Sequence, residues 1–300
     1  MTLTDEVLEK YRKAGRIAAE VRRRVAREVK AGVPIIQICE RAERFIRMLG
    51  GQPAFPCNVS VNEVAAHYTS PPNDTRHIPE GALVKVDIGV HVDGYIADTA
   101  TTVCLNPEYE YLVKAAEAAL KRAVESIHAG MKTGELGSII EKTIKLYGCK
   151  PISNLTGHKI DRYIIHAGVS IPNVAHRPSK TIDAMGVYAI EPFTTLKGAR
   201  GLVREGREMH IFRFLRRKPL TNPRASHLLE FIIKHYRTLP FAERWLWKRL
   251  PRSRYRDAFR ELVVKGCIMG YRVFIEESGM PVAQAEHTVI VMDGGCIVIT

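Results

Sequence analysis

The chain has 300 residues, 46% hydrophobic and 26% charged, a balance that excludes an intrinsically disordered protein and suits a folded core. No apolar run approaches the roughly 20 residues needed to span a bilayer. The polar, acidic start at residues 1–9 does not read as a signal peptide, so the expected location is the cytoplasm, with no membrane partner. The net charge is +13, and most of it falls in residues 204–260, where sixteen Lys and Arg face five Asp and Glu. Such a patch suits either a polyanion or a solvated Arg-rich surface.

Residues 4–30 read as a helix. Thr4 suits its N-cap, Asp5 and Glu6 its first turn, and apolar residues recur at three-and-four spacing from Val7 to Val29. A second helix is predicted from Pro34 to the Gly50-Gly51 stop, burying Ile35, Ile38, Ala42, Phe45 and Leu49. The layout then recurs. Pro107 opens a helix expected to reach Ala129-Gly130, and another, burying Leu136, Ile140 and Ile144, stops at Gly148. Ala31-Gly32, Gly50 and Pro53 match Ala129-Gly130, Gly148 and Pro151 at a single offset of 98 residues. Helix stops are backbone constraints, so this shared spacing points to two related halves. Strands follow each helix pair: 83–90 and 95–105 around an Asp93-Gly94 turn, then 187–191 and 283–292. The stretch from about 198 to 260 reads as a helical insertion, with helices at 226–237 and 241–250. The pattern as a whole predicts an α+β domain whose halves meet in a shared middle. The six cysteines (Cys39, Cys57, Cys104, Cys149, Cys267 and Cys296) form no C-x-x-C pair and read as reduced thiols.

The hairpin carries the most chemistry. With Asp93-Gly94 as a two-residue turn, Val92 pairs with Tyr95 and Gly89 with Asp98, so Asp87, Gly89 and Asp98 share one face. Asp87 and Asp98 become diagonal neighbours, roughly 7–8 Å apart at the backbone. Their neighbours Val86, Ile88, Ile96 and Ala97 are apolar. Two half-buried carboxylates repel each other and each is costly to desolvate. A cation between them removes both penalties, which favours a metal over two surface acids. His158, His166, Glu191 before Pro192, and Glu286 in an apolar strand add further ligand types. An oxygen-rich set with one imidazole suits two divalent ions (Co, Mn, Fe or Zn), which can provide a hydroxide nucleophile and polarise a carbonyl. The sequence holds no H-E-x-x-H, Walker loop, G-x-G-x-x-G or G-x-S-x-G.

In order and spacing, Asp87, Asp98, His158, Glu191 and Glu286 resemble the five metal ligands of the pita-bread metallopeptidases. Three segments narrow the resemblance to type II methionine aminopeptidases. They are Asn62-Glu63-Val64-Ala65-Ala66-His67-Tyr68, Leu155-Thr156-Gly157-His158 through His166-Ala167-Gly168, and Gln284-Ala285-Glu286-His287-Thr288. The stretch between Glu191 and Glu286 resembles the helical insertion of that type, and the short N-terminus resembles archaeal members. The resemblance covers nearly the whole chain from residue 4. It implies a pita-bread fold of two pseudo-symmetric halves around a central antiparallel sheet. It further implies one catalytic domain over 1–300, a helical insertion subdomain at 200–262, and a monomer.

The activity so implied is removal of the initiator methionine from nascent chains, with a small second residue preferred. Asp87 would chelate one ion, Asp98 and Glu286 would bridge both, and His158 and Glu191 would complete the other site. Glu191 is the implied proton shuttle, His166 steadies the carbonyl oxygen, and His67 bonds near the scissile amide. By similarity, Phe55, Ile165, His166, Phe193, His210 and Tyr271 line the methionine pocket, where apolar walls accept a thioether. Cys57 departs from the pattern, because type II members often carry a small residue before the equivalent of Asn58. That departure points to an altered pocket shape or redox sensitivity. Two other readings stay open. A proline-directed pita-bread peptidase shares the five ligands but usually carries an extra N-terminal domain. A non-catalytic relative that binds RNA or ribosomes would use the basic insertion, but such relatives have lost ligands. The insertion would also suit holding an active enzyme near ribosomal RNA.

Overall fold

The computed structural model describes residues 4–176, 179–247 and 251–300. Helix α1 (Asp5–Ala26) starts where the Thr4 side chain accepts the Val7 N–H, and it buries Tyr11, Ala14, Ala18, Val21 and Val25 on one stripe. It ends at Ala26 rather than near 30. Val29, which extended the apolar periodicity, is buried from the following turn. Helix α2 (Ile35–Met48) packs beside it. In the second half, a 3₁₀ turn at Pro107–Tyr109 leads into α3 (Glu110–Ser126), and α4 (Thr133–Leu146) follows. Helix α3 stops short of the predicted glycine because Ile127 is extended and fully buried. Gly32 and Gly130 have φ of 78° and 85°, and Gly50 and Gly148 have 83° and 69°. The matched glycines therefore impose the same left-handed backbone in both halves, which is why their spacing was visible in the sequence.

Strands Leu83–Val92 and Tyr95–Cys104 form an antiparallel ladder across Asp93 (φ 51°) and Gly94 (φ 88°). The predicted register holds: Val92 pairs with Tyr95 and Gly89 with Asp98, while Asp87 lies opposite Ala100. Asn58–Val61 adds to the other edge of Leu83–Val92 and sets Asn58 opposite Asp87. In the second half, Val187–Ile190 runs between Thr156–Ile160 and His287–Met292. The halves are joined by hydroxyls. Thr288 Oγ1 accepts from Asp98 N–H at 2.7 Å and donates to Asp98 O at 2.7 Å, and Thr99 Oγ1 donates to Glu286 O at 2.8 Å. This seam brings Asp98 and Glu286 side by side.

Residues 200–262 are not uniformly helical. A twelve-residue strand, Val203–Phe214, pairs antiparallel with Ile268–Glu276. Its first half, VREGRE, has few apolar residues to alternate, so no strand signal shows there. On this ladder sit α5 (Pro223–Tyr236), α6 (Glu243–Leu246) and α7 (Arg252–Val264), around a core of Leu228, Ile232, Leu246, Phe259 and Leu262. Helix α5 begins ahead of the predicted 226 because Asn222 caps it and Pro223 fits its first turn. The helix expected at 241–250 is shorter: Phe241–Ala242 pairs with the long strand, α6 spans four residues, and 248–250 lie outside the described residues.

Candidate active site

One cavity is lined by Asp87, Asp98, His158, Glu191 and Glu286 together, with His67 and His166 beside them. Asp87 and Asp98 come from the hairpin, His158 from Thr156–Ile160, Glu191 from just after Val187–Ile190, and Glu286 from the break before His287–Met292. Asp98, His158 and Glu286 each offer a ligand atom, all within 4.8 Å of one another. His158 Nε2 lies 3.6 Å from Asp98 Oδ2 and 3.6 Å from Glu191 Oε1. Asn58 Nδ2 donates to Asp87 Oδ2 at 3.1 Å. Gln284 Nε2 donates to Glu191 Oε2 at 3.3 Å and to Glu286 Oε2 at 3.4 Å.

The electrostatics ask for positive charge. Burial pushes the Asp87 carboxyl up to about 6. Asp98 is pushed well above the usual range by burial and then by the charges of Asp87 and Glu191. Burial and Asp87 raise Glu191, while burial and then Asp98, Glu191 and Asp87 raise Glu286, opposed by Arg22. Asp87 Oδ1, Asp98 Oδ1 and His158 Nδ1 are buried without a hydrogen-bond partner. Partnerless carboxylate oxygens converging on an imidazole are the donor set of a hard or borderline divalent cation, so these residues fit a metal centre.

The two flanking histidines are kept neutral. Burial lowers His67 to about 4, with the neighbouring His166 adding to the shift. His67 adopts φ 63° and packs on Phe274 and Tyr271, at ring distances of 4.7 and 5.6 Å. His166 opens to solvent at the cavity mouth, its ring 4.4 Å from that of His158, yet the surrounding protein and then Arg213 still lower its pKa.

Phe55, Ile165 and Tyr271 line the same cavity. A Cβ at Gly89 would lie 2.2 Å from the Phe55 ring, so glycine there lets Phe55 lie against the hairpin. Phe193 instead lines a neighbouring cavity that shares His67, His158, His166 and Glu191. His210 requires a correction, because it lines neither. Its Nε2 lies 2.8 Å from Glu208 Oε2 and its ring packs edge-on to Tyr68. An irregularity between Met209 and Ile211 sets Ile211 opposite Tyr271, and both of these face the cavity. Asn58, Ala66, Ile211 and Pro240 also line it and were not anticipated. Pairing 58–61 against the hairpin would have found Asn58. Ile211 and Pro240 carried no local signal. Cys57 is buried behind Asn58, with its N–H on Glu43 Oε1 at 3.3 Å, and is absent from the lining. All six cysteines are free thiols.

The sequence pattern of metallopeptidase family M24 matches residues 9–212. The chain belongs to metallopeptidase family M24. The M24 chain is 47% identical to the methionine aminopeptidase of Methanothermobacter thermautotrophicus, over 98% of this chain and 99% of the relative. It is 45% identical to the methionine aminopeptidase of Methanocaldococcus jannaschii, over 98% and 99%. Among solved structures, a thermophilic Arx1 superposes with a TM-score of 0.83 at 20% identity, covering 99% of this chain and 91% of the other. A Thermotoga maritima methionine aminopeptidase superposes at 0.72 and 20%, covering 99% and 97%. At such identities these two show the shared fold, the pita-bread arrangement. The M24 assignment makes the enzyme a metal-dependent peptidase, in accord with the donor set.

Proposed function

We infer that this chain is a metalloaminopeptidase that removes the initiator methionine from newly made proteins. The observation that carries the reading is the convergence of four carboxylates, buried at Asp98 and Glu286 and half-buried at Asp87 and Glu191, and one imidazole on a cavity walled by Phe55, Ile165, Ile211 and Tyr271. Near-full-length identity to methionine aminopeptidases supports it.

Asp87, Asp98, His158, Glu191 and Glu286 would hold two divalent ions (Co, Mn, Fe or Zn). The orphaned Asp87 and Asp98 oxygens support this assignment. When bound, the ions supply a nucleophile at neutral pH and polarise the scissile carbonyl. The chain's own groups do the rest. The apolar walls take the methionine thioether. The substrate's free α-amine would meet the metal centre, which restricts cleavage to the N-terminus. Glu191 takes a proton from the attacking water and returns it to the leaving nitrogen. Neutral His166 donates an N–H to the carbonyl oxygen as charge develops, and neutral His67 bonds near the scissile amide. The residue after the methionine is preferred small.

The reading separates from proline-directed cleavage by substrate. Metal-reconstituted enzyme is expected to release methionine from Met-Ala-Ser and to leave an X-Pro dipeptide intact. The reverse pattern, or methionine release that no chelator stops, would overturn it.

The enzyme works in the cytoplasm as a monomer near emerging nascent chains. Arg216, Lys218, Arg224, Arg254, Arg256 and Arg260 are exposed on the insertion and its approach, and they support attraction to ribosomal RNA. If about six phosphates are engaged, ribosome association should weaken roughly 10³-fold between 50 and 200 mM salt. Co-sedimentation across that range checks it, and association that ignores salt, or is undetectable, removes the idea.

A further inference from the structure

The cavity wall away from the hairpin joins two segments far apart in sequence: Ile165 and His166 on one side, and Pro240 of the insertion on the other. Both segments meet at Tyr163. Its N–H donates to Gly94 O at 2.8 Å, so it is fastened to the turn of the Asp87–Asp98 hairpin. Its ring covers that turn so closely that a Cβ on Gly94 would lie 2.3 Å from it. The His91 ring stands edge-on at 5.6 Å. From the insertion, the Arg237 guanidinium lies over the Tyr163 ring at 4.5 Å, and the Thr238 hydroxyl donates to the Tyr163 carbonyl.

The backbone is strained where these parts join. Tyr163 has φ 57° and Arg237 has φ 55°, both left-handed and both unfavourable for a residue with a side chain. Tyr163 sits in a tight turn closed by paired backbone bonds between Asp161 and Ile164, and Ile165 and His166 leave directly from it. Arg237 ends α5, and three residues later Pro240 reaches the cavity. Tyr163 packs on the edge of the core rather than within it: its ring is half-buried, and Ile164, Arg237 and Thr238 are exposed. Strain held by surface contacts, two residues from one pocket wall and three from the other, is a positioning arrangement.

We propose that Tyr163 is a positioning residue of the aminopeptidase reaction, clamping residues 237–240 of the insertion to the hairpin turn and so setting the width of the methionine pocket between Ile165 and Pro240. The inference rests on reading that cavity as the methionine pocket. Loosening the clamp lets Pro240 and Ile165 drift apart, so the thioether loses its close walls while the carboxylates, held by the hairpin and the Thr288 seam, stay in place.

Tyr163→Gly deletes the ring and accepts the left-handed turn without strain. Its KM for Met-Ala-Ser should rise roughly tenfold, the scale of one poorly filled methylene in a pocket. Its kcat should stay within about threefold, and its preference for Met over Leu at the first position should fall roughly tenfold. Free L-methionine should bind correspondingly more weakly by calorimetry. Tyr163→Phe should restore all four values. Arg237→Met with Thr238→Val removes the clamp from two exposed positions and carries the same expectation should Tyr163→Gly not fold. Unchanged KM and Met/Leu preference in a folded clamp variant, or loss confined to kcat, would overturn the proposal. Wild-type cleavage of Met-Ala-Ser, measured alongside, reports separately on the function itself.

Discussion

Glu191→Gln should lower kcat on Met-Ala-Ser by about 10²–10⁴-fold, the span of a general acid–base group, and leave the fold intact. Glu191 lines both the methionine-sized cavity and its larger neighbour, so a substrate spanning the two would lay its scissile amide beside this carboxyl. Its Oε2 receives the Gln284 amide, and its Oε1 faces His158. A carboxamide keeps that shape but cannot take up a proton. Glutamine also removes one charge from a cluster in which burial and Asp87 already disfavour ionised Glu191. The thermal midpoint of metal-free protein should therefore hold or rise rather than fall. KM should change little, because Phe55, Ile165 and Tyr271 are untouched. Steady-state kinetics at saturating metal isolates the chemical step from weakened ion binding. A variant with near-normal kcat would remove Glu191 from proton transfer.

The parts of this site written in local rules were legible in the sequence. Asp93-Gly94 fixes the hairpin turn, the turn fixes the register, and the register aligns Asp87 with Asp98, all through backbone geometry within twelve residues. The repeated helix stops were legible for the same reason, since Gly32 and Gly130 must both be left-handed. The apolar wall was harder, because it depends on tertiary placement. Ile211 reaches the cavity through an irregularity in a long strand, and the same irregularity leaves His210 on Glu208. Pro240 arrives from the end of α5, and no periodicity in its own segment says where that end points. The strand Val203–Phe214 was hidden by its charged composition: edge-facing Arg and Glu blur the alternation that reveals a half-buried strand. Motif resemblance picked out the four carboxylates and His158 that the fold brings to one cavity; only packing could decide which aromatic and aliphatic residues surround them.

The same carboxylates make stability depend on metal and pH together. In chelator-treated protein, Asp87 keeps its proton up to about 6, whereas an unfolded aspartate loses it near 3.8. A folded pKa raised in this way stabilises the protein below the unfolded value, and the contribution is lost as pH rises through the folded value. For Asp87 alone the loss is roughly 3 kcal/mol. Asp98, Glu191 and Glu286 shift in the same direction. Histidines work the other way. His67, His91 and His287 are lowered to about 4, and His158 is held well below its ordinary value, mainly by burial, so their contribution is present above 6.5 and lost on acidification. The bare slope of metal-free protein thus mixes two signs, and the difference between metal-loaded and stripped protein is the cleaner measure. Bound ions require ionised carboxylates and neutral His158, so binding releases protons and strengthens with pH. At 1,000-fold excess over Kd, the ions add about 4 kcal/mol, a shift on the order of 10 °C for a chain of this size. Thermal midpoints of Mn²⁺-loaded and chelator-treated protein should therefore lie far apart at pH 7.5 and draw together near pH 5. Asp98→Asn removes one repelling charge, so its stripped form should be more stable than stripped wild type at pH 7.5, and it should gain less from added metal. A chelator-insensitive midpoint at pH 7.5, or a gap as wide at pH 5, would mean that these residues do not hold the ions.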